Sequence, residues 1–311
     1  MTMKIQYFLL ALIGSLLPYI LNASIIENIH FTHIGLVDGL SHSTIFAINQ
    51  DKGGNLWFAT YDGVNKYDGY NFTVYRHQYA NPQSIACDIS RCVTVDDSGR
   101  VWIGTREGFS LYNRDQDTFS NYFYKENGYK ATVTCIAPMN KDYLMLGTTS
   151  GVLLFDIGKE RILNDTLPHP LHLLRPTAMV RQSDKIYIGV EKGLYVYSLA
   201  NGTLEKLVDM PKATRIHSVF CQMFTRIWIA TEGEGLYMYD TKSKELKNYR
   251  HEDGYSGLNS NYVRSLAVDQ ENRLWVGTYG GLNIYEGGKD RFLSVRNSAI
   301  QELSLIHISE P

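Results

Sequence analysis

The sequence lacks the excess of positive charge that nucleic-acid binding requires. Its 311 residues contain 30 Lys and Arg against 32 Asp and Glu, which gives a formal net charge of −2. Sequence-independent binding to DNA or RNA depends on many cationic contacts with phosphates. We therefore expect this chain to bind no nucleic acid.

Signatures of the common catalytic centres are also missing. The sequence contains no G-x-S-x-G, no H-E-x-x-H, no Walker-type loop and no G-x-G-x-x-G between a strand and a helix. His169 and His172 could be imagined as metal ligands, but no third imidazole lies nearby, and a connecting loop is the favoured interpretation. We expect no catalytic residues, no metal site and no cofactor.

Long apolar runs are absent beyond the N-terminus. There, Lys4 precedes an apolar stretch over residues 7–17, Pro18 follows it, and Asn22, Ala23 and Ser24 form a small-residue stop. This order is typical of a secretory signal. An uncleaved membrane anchor is the alternative, but the mostly apolar segment 7–21 has about 15 residues where about 20 are needed to span a bilayer. We predict an exported chain with residues 1–23 as its signal peptide.

What the sequence does contain is one motif repeated six times, at spacings of 41 to 47 residues. Each copy has a large central residue, then a glycine and, four residues later, an aromatic. Residues after the glycine alternate between apolar and polar, the period of a half-buried strand. The stretch before each central residue, such as residues 44–48 and 263–268, is apolar enough to predict burial on both faces. The central residues are Trp57, Trp102, Met145, Tyr187, Trp228 and Trp275.

Four strands of about five residues and four connections of about five add up to about 42 residues. The repeat therefore predicts an all-β fold, a β-propeller of four-stranded antiparallel blades over residues 24–302. The large central aromatics are interpreted as packing between blades.

Cys92 and Cys135 occupy one repeat position, where other copies carry Ala47, Thr177, Ser218 and Ser265. We expect buried free thiols there instead of a disulfide.

The pattern D-x-x-G-x-L-W-[FIV]-[GA]-T-x-x-G-[VL]-N-x-Y, written at residues 51–67, resembles the two-component regulator propeller repeat. The segment FTHIGLVDGLS at residues 31–41 resembles the start of the mature sensor region in hybrid two-component systems of gut Bacteroidetes. The resemblance implies a periplasmic sensor of two seven-bladed propellers and a β-sandwich. A membrane span, a histidine kinase and a DNA-binding response regulator would follow. Such sensors detect oligosaccharides and switch on genes for glycan degradation.

The same resemblance implies that this chain is a truncated part of a longer parent. Six blades would belong to a seven-bladed ring, and the fragment itself would not be an enzyme because the kinase domains are absent. An oligosaccharide ligand is expected for the parent, membrane contact only through its missing C-terminal part, and a homodimer of the parent is compatible with it. Residues 303–311, LSLIHISEP, resemble a read-through of a sequencing adapter and are expected to be non-native.

Function is expected in the loops that join the second and third strands of the blades, because rigid strands position loops that are free to vary. Aromatic and polar side chains around a shallow basin would suit a sugar. The candidate ligand-binding residues are Tyr61, Asp62, Arg106, Glu107, Glu191, Lys192, Glu232 and Tyr279.

Two other functions stay open. The propeller could be architectural, with the ligand site in partner domains and these loops forming a solvated rim. It could also be a glycosidase, because Asp97, Gly99 and Trp102 partly match the Asp-box turn of sialidase-like propellers. That box needs Ser or Thr where Val95 stands, and the corresponding acid of other blades, as at Asp51, lies six residues before the Trp.

Overall fold

The computed structural model describes residues 31–295, except for 127, 164–166, 168–169, 211, 213 and 252–256. Residues 34–294 form one compact unit, which contains all of the strands. The predicted signal peptide, the 303–311 tail and His169 lie outside the described residues. Within them the strands form six four-stranded antiparallel sheets, each in the order of the chain. The predicted all-β propeller of six blades is thus confirmed.

The strands follow the repeat closely. The first blade contains β1 (Ile45–Gln50), β2 (Leu56–Thr60), β3 (Val64–Tyr67) and β4 (Phe72–Tyr75), and the second contains β5 (Ser90–Val95), β6 (Val101–Thr105), β7 (Gly108–Asn113) and β8 (Thr118–Tyr122). A small hairpin of β9 (Lys125–Glu126) and β10 (Tyr129–Lys130) follows. The third blade contains β11 (Val133–Pro138), β12 (Tyr143–Thr148), β13 (Val152–Asp156) and β14 (Arg161–Leu163).

The fourth blade contains β15 (Ala178–Gln182), β16 (Lys185–Val190), β17 (Gly193–Ser198) and β18 (Leu204–Asp209). The fifth contains β19 (Ile216–Gln222), β20 (Arg226–Thr231), β21 (Leu236–Asp240) and β22 (Leu246–Tyr249). The sixth contains β23 (Val263–Val268), β24 (Leu274–Thr278), β25 (Gly281–Glu286) and β26 (Arg291–Ser294). Short 3-10 turns occupy Leu36–Asp38 and Leu171–Leu173. The first strand of each blade is innermost, and these inner strands pack side by side in chain order from β1 to β23.

The blades are joined by apolar cores that each take residues from two consecutive blades. Trp57 is fully buried and its ring meets Tyr112 of the second blade at 4.7 Å between centroids. Trp228 meets Tyr285 of the sixth blade in the same way, at 4.9 Å. The prediction that the large aromatics pack between blades is therefore confirmed for Trp57, Trp102, Tyr187 and Trp228. Replacing such a buried Trp by Ala would cost about 3–5 kcal/mol.

The turn between the first and second strands uses a shared hydrogen-bond arrangement. An Asp six residues before the Trp accepts the indole N–H, and it also accepts backbone N–H groups of its own turn. In the fifth blade the amide oxygen of Gln222 accepts the indole N–H of Trp228 at 2.9 Å. The three acidic pairs are Asp51–Trp57 at 3.1 Å, Asp96–Trp102 at 2.9 Å and Asp269–Trp275 at 2.8 Å.

In the second blade, two adjacent carboxylates, Asp96 and Asp97, could accept the indole N–H, and the hydrogen bonds show which of them does. Asp96 is buried and holds Trp102, whereas Asp97 is exposed and pairs with Arg181 of the fourth blade at 2.7 Å. The acid that serves the Trp is therefore six residues away here as well. The Asp-box match, which needs Asp97 in that role, is not realised.

The small positions of the repeat are explained by close contact across the first two strands. Cys92 faces Gly104 in the β5–β6 register, and a Cβ on Gly104 would lie 2.5 Å from the Cys92 sulfur. Cys135 faces Gly147 in the same way. All four cysteines are free, as predicted.

The predicted burial of the inner strands on both faces is wrong for the first and last of them, because β1 exposes Ile45, Phe46 and Ile48 and β23 exposes Arg264, Ser265 and Ala267.

Candidate functional site

A β-bulge recurs near the start of five inner strands. The register with the second strand shifts by one residue in β1, β5, β11, β19 and β23. A bulge leaves one extra residue out of the ladder and redirects its side chain, and such bulges often lie beside functional sites. The extra residues, which we call the bulge residues, are Phe46, Arg91, Thr134, His217 and Arg264.

Five of the six inner strands, β1, β5, β11, β15 and β19, line an open cavity of about 700 Å³. Four bulge residues, from β1, β5, β11 and β19, are among its lining residues. At the opposite ends of the inner strands, Asp97, which follows β5, and Arg181 of β15 also line this cavity and form the ion pair described above. The cavity therefore carries polar groups at both ends, and the bulge residues define one of its mouths.

Two bulge residues take part in a cluster between the fifth and sixth blades. The guanidinium of Arg264 donates to the His217 ring, with 2.9 Å between Nη1 and Nε2. The same guanidinium lies 4.6 Å from the centre of the Tyr279 ring. Tyr279 stacks on Tyr262 with 5.5 Å between centroids and 14° between planes. Glu232 Oε2 lies 3.6 Å from His217 Nε2. These five residues are the blade five–six cluster.

The histidine of the cluster is neutral near pH 7. Burial, and after it the positive charge of Arg264, lower its pKa to about 4 against the opposing effect of Glu232. A neutral imidazole has one ring nitrogen that can accept a hydrogen bond, which is what Arg264 requires. The side chain of His217 therefore holds the guanidinium in place while the tyrosines remain about half exposed, at 47% for Tyr262 and 62% for Tyr279.

Backbone contacts fix the same cluster. The N–H of Tyr279 donates to the carbonyl of Tyr262 at 3.1 Å, so the two rings are carried by hydrogen-bonded segments. The Thr278 hydroxyl donates to the carbonyl of Gly281 at 3.0 Å and closes the turn that presents Tyr279. A ligand would thus meet groups that are already ordered, which reduces the entropy cost of binding.

Of the eight residues predicted from sequence, the structure brings Glu232 and Tyr279 together in this cluster. Asp62 forms an ion pair with Arg76 at 2.8 Å, and Glu107 forms one with Lys130 at 3.0 Å. Tyr61 is half exposed and its ring lies 5.5 Å from that of His42. Arg106, Glu191 and Lys192 are exposed on the loops of the second and fourth blades.

Sequence reasoning missed His217, Tyr262 and Arg264. Arg264 lies in the stretch of residues 263–268 interpreted as a buried strand, and Tyr262 comes directly before it. The one available signal was a charged residue inside an otherwise apolar run, at Arg264 and also at Arg91. The bulge that turns these side chains outward depends on strand pairing, so the pattern of residue types did not indicate it.

The comparisons with known proteins agree with this architecture. The family model described as two component regulator propeller matches residues 39–62 and 257–280. Both matched segments run from the loop before an inner strand to the turn after the second strand. Those two segments therefore match the two-component regulator propeller repeat that the sequence resembles.

Particular relatives extend the likeness. A histidine kinase P4 from Formosa agariphila is 43% identical over 60 residues, which are 19% of this chain and 4% of that protein. The extracellular domain of a hybrid two component system from B. thetaiotaomicron is 26% identical with a TM-score of 0.56, over 85% of this chain and 42% of that one. The chain thus spans less than half of the length of these relatives.

A more distant likeness shows the fold alone. Virginiamycin B lyase from Staphylococcus aureus is 11% identical with a TM-score of 0.62, and the match covers 80% of this chain and 83% of that one.

In the part of this chain that the structure describes, no helix is long and apolar enough to cross a membrane. The chain is a β-propeller of the kind found in extracellular domains of two-component sensors.

Proposed function

We propose that this chain is the ligand-binding propeller of a hybrid two-component sensor, exported to the periplasm, and that the ligand is an oligosaccharide. The observation that carries the proposal is the stacked pair of Tyr262 and Tyr279, about half exposed and flanked by Arg264 and Glu232. The C–H faces of a sugar pack on aromatic rings, and its hydroxyl groups bond to guanidinium and carboxylate groups. The cluster offers both kinds of contact within one small area.

In this proposal the chain has no enzymatic role of its own. Residues 1–23 would direct export, residues 24–302 would form the propeller, and the kinase and DNA-binding parts would belong to a longer parent that controls glycan-degradation genes. Support comes from the likeness to extracellular domains of two-component systems, which exceed this chain in length. Residues 303–311 would not belong to the natural protein.

A ring of seven blades is part of the same proposal. Trp57, Trp102 and Trp228 are fully buried against a following blade, whereas Trp275 of the sixth blade keeps part of its surface exposed. On the other side, β1 exposes Ile45, Phe46 and Ile48. These surfaces would be covered if one more blade lay between the sixth and the first. A crystal structure of the parent in which the ring closes with six blades would contradict this part.

Binding of a glycan array tests the ligand class. We expect the exported region to bind one or more oligosaccharides, and Tyr279→Ala and Tyr262→Ala each to weaken that binding about tenfold. That factor corresponds to the loss of about 1.4 kcal/mol of stacking and packing. Calorimetry with the oligosaccharide that scores highest on the array would measure the change.

The control is Tyr70→Ala, because Tyr70 is an exposed tyrosine in the turn between β3 and β4 of the first blade, outside the loops that carry the candidate ligand-binding residues. Its loss should leave affinity within about twofold of the unaltered chain, a change of about 0.4 kcal/mol or less in free energy. If all three variants bind as the unaltered chain does, the propeller is architectural and the ligand site belongs to partner domains.

A further inference from the structure

The segment that enters the first blade makes the same contacts as two of the connections between blades. In each of the three, a buried apolar residue is followed by one whose backbone N–H donates to a polar side chain on the third strand of the next blade. The buried residues are Leu40, Ile85 and Leu258. The hydrogen bonds are Ser41 N to Asn65 Oδ1 at 2.8 Å, Ala86 N to Ser110 Oγ at 3.1 Å and Asn259 N to Asn283 Oδ1 at 3.1 Å. Residues 39–41 therefore occupy the place before the first blade that residues 84–86 occupy before the second.

A histidine closes the loop in the two connections between blades. Its backbone N–H donates to an Asp or Asn shortly before the next inner strand, and its Nδ1 is hydrogen-bonded to the carbonyl of the buried apolar residue. The contacts are His77 with Asp88 at 2.6 Å and Ile85 at 2.8 Å, and His251 with Asn261 at 2.7 Å and Leu258 at 2.7 Å. Each histidine comes two residues after the tyrosine that ends an outer strand, Tyr75 of β4 or Tyr249 of β22. The motif aromatic-x-His therefore marks the end of an outer strand.

The sequence ahead of the first blade contains the same motif. Among the nine histidines of the chain, three follow an aromatic residue at this spacing, in FTH at 31–33 and in YRH at 75–77 and 249–251. The histidine precedes the buried apolar residue by seven positions at His33 and His251 and by eight at His77. Ile29 and Phe31 alternate with His30, which is the period of a strand. Phe31 therefore stands where the outer strand of a blade ends, ahead of the first of the described blades.

The first blade carries a partly open aromatic pair at the place where the end of an outer strand would pack. Tyr67 and Phe72 lie with 4.7 Å between ring centroids and are only partly buried. In the second and sixth blades the equivalent pair is buried, and the tyrosine that ends the preceding outer strand packs on it. These contacts are Tyr75 on Phe119 of the Tyr112–Phe119 pair at 5.2 Å, and Tyr249 on Phe292 of the Tyr285–Phe292 pair at 5.1 Å. The pair in the first blade therefore matches the aromatic end of one more outer strand.

We propose that residues 28–31 form the outer strand of a seventh blade, and that the other three strands of that blade come from the part of the parent that follows the sixth blade. The inference rests on the seven-bladed ring of the proposed function and adds how that ring closes. In this arrangement Phe31 packs on Tyr67 and Phe72, and the inner strands cover Ile48, which is 55% exposed whereas its equivalent Val93 is buried. Opening the ring then requires the separation of a hydrogen-bonded strand pair.

Hydrogen–deuterium exchange of backbone amides tests the strand directly. In the complete parent sensor, the amides of residues 28–31 that face the third strand should exchange at least about 100-fold more slowly than in this chain, because only the parent supplies that strand. Equally fast exchange in both proteins would overturn the inference. So would protection in this chain alone that increases with its concentration, because a second copy would then supply the sheet.

A substitution in the strand gives an independent measurement. Phe31→Ala should lower the Tm of the complete parent sensor by at least about 4 °C, because a large apolar side chain is lost from between the seventh and first blades. In this chain the same substitution should shift the Tm by less than about 1 °C, because the sheet that holds Phe31 is not there. His30→Ala is the matched control, since alternation places His30 on the opposite face, and it should shift either Tm by less than about 1 °C. Equal shifts for Phe31→Ala in the two proteins would count against the closure. If that variant of the parent does not fold, exchange in the unaltered parent still decides.

Failure of the closure and failure of the sensor function are separate results. A structure of the parent in which all four strands of the seventh blade follow the sixth blade in the chain would overturn the closure and leave the sensor function intact. A parent whose residues 28–31 are protected but which binds no oligosaccharide would overturn the proposed ligand and support the closure.

Discussion

Replacing Asp96 by Ala should destabilise the second blade strongly. The Asp96 carboxylate accepts four hydrogen bonds, from the backbone N–H groups of Ser98 at 2.9 Å and Arg100 at 3.0 Å, from Arg100 Nε at 2.6 Å and from Trp102 Nε1 at 2.9 Å. Trp102 is fully buried, so water cannot replace the lost acceptor for its indole. The same side chain therefore holds both the turn and a core residue.

The magnitude follows from these contacts. Leaving a buried donor without an acceptor costs about 1–3 kcal/mol, and hydrogen bonds to a charged group contribute about 1.5–3 kcal/mol each. The bonds share one carboxylate and do not add, so we expect a total loss of about 3–5 kcal/mol. Asp96→Asn should lose less, because the amide keeps one oxygen acceptor.

Asp97→Ala is the matched control because it removes the neighbouring carboxylate. The Asp97 side chain is 72% exposed and its pair with Arg181 lies at the surface, so we expect a loss below about 1 kcal/mol. Urea unfolding followed by Trp fluorescence and by far-ultraviolet circular dichroism measures both variants. A repeat protein can unfold in parts, so the two probes should be compared. A larger loss for Asp97→Ala than for Asp96→Ala would refute the assignment of the turn.

Two further predictions concern the blade turns. Gly108→Ala should cost at least about 1–2 kcal/mol more in unfolding free energy than Gly69→Ala. Both glycines have positive φ, +96° and +101°, but a Cβ on Gly108 would lie 2.4 Å from the carbonyl oxygen of Tyr122, whereas Gly69 faces open space. Equal losses in thermal unfolding would contradict this. The hydrogen bond from the Trp275 indole and those from Arg273 lower the pKa of Asp269 from 3.8 to about 2, against the opposing effect of burial. The carboxylate therefore contributes about 2 kcal/mol above pH 4 that is lost as the pH falls toward about 2. The difference in stability between the unaltered chain and Asp269→Asn should shrink over that interval, and a constant difference would count against it.

The fold was predictable because its determinants lie within one repeat. The glycine after each second strand, the alternation that follows it and the large central residue recur at a spacing that one four-stranded blade requires. A blade buries its faces against its neighbours, which is why Trp57 and Trp228 could be interpreted as core residues before their contacts were known. The small residue at Cys92 was likewise readable from its equivalents in other repeats.

The candidate site was less predictable, because its members meet only through packing between blades. Glu232 and Tyr279 were found as loop residues, but the tertiary structure alone unites them with His217 and Arg264, which come from two different inner strands. The bulges that redirect Arg91 and Arg264 depend on how each inner strand pairs with the next. Asp96, and not Asp97, accepts the Trp102 indole N–H. Asp97 instead pairs with Arg181, which lies 84 residues further along the chain.

By itself, the sequence determined the blade, its strand order and the residues that pack it, since these follow from local alternation and from a repeated spacing. Only the tertiary structure decided which polar side chains leave the ladder and where they meet. That outcome depends on bulges and on contacts between residues distant in sequence, and neither leaves a regular pattern in the order of residue types.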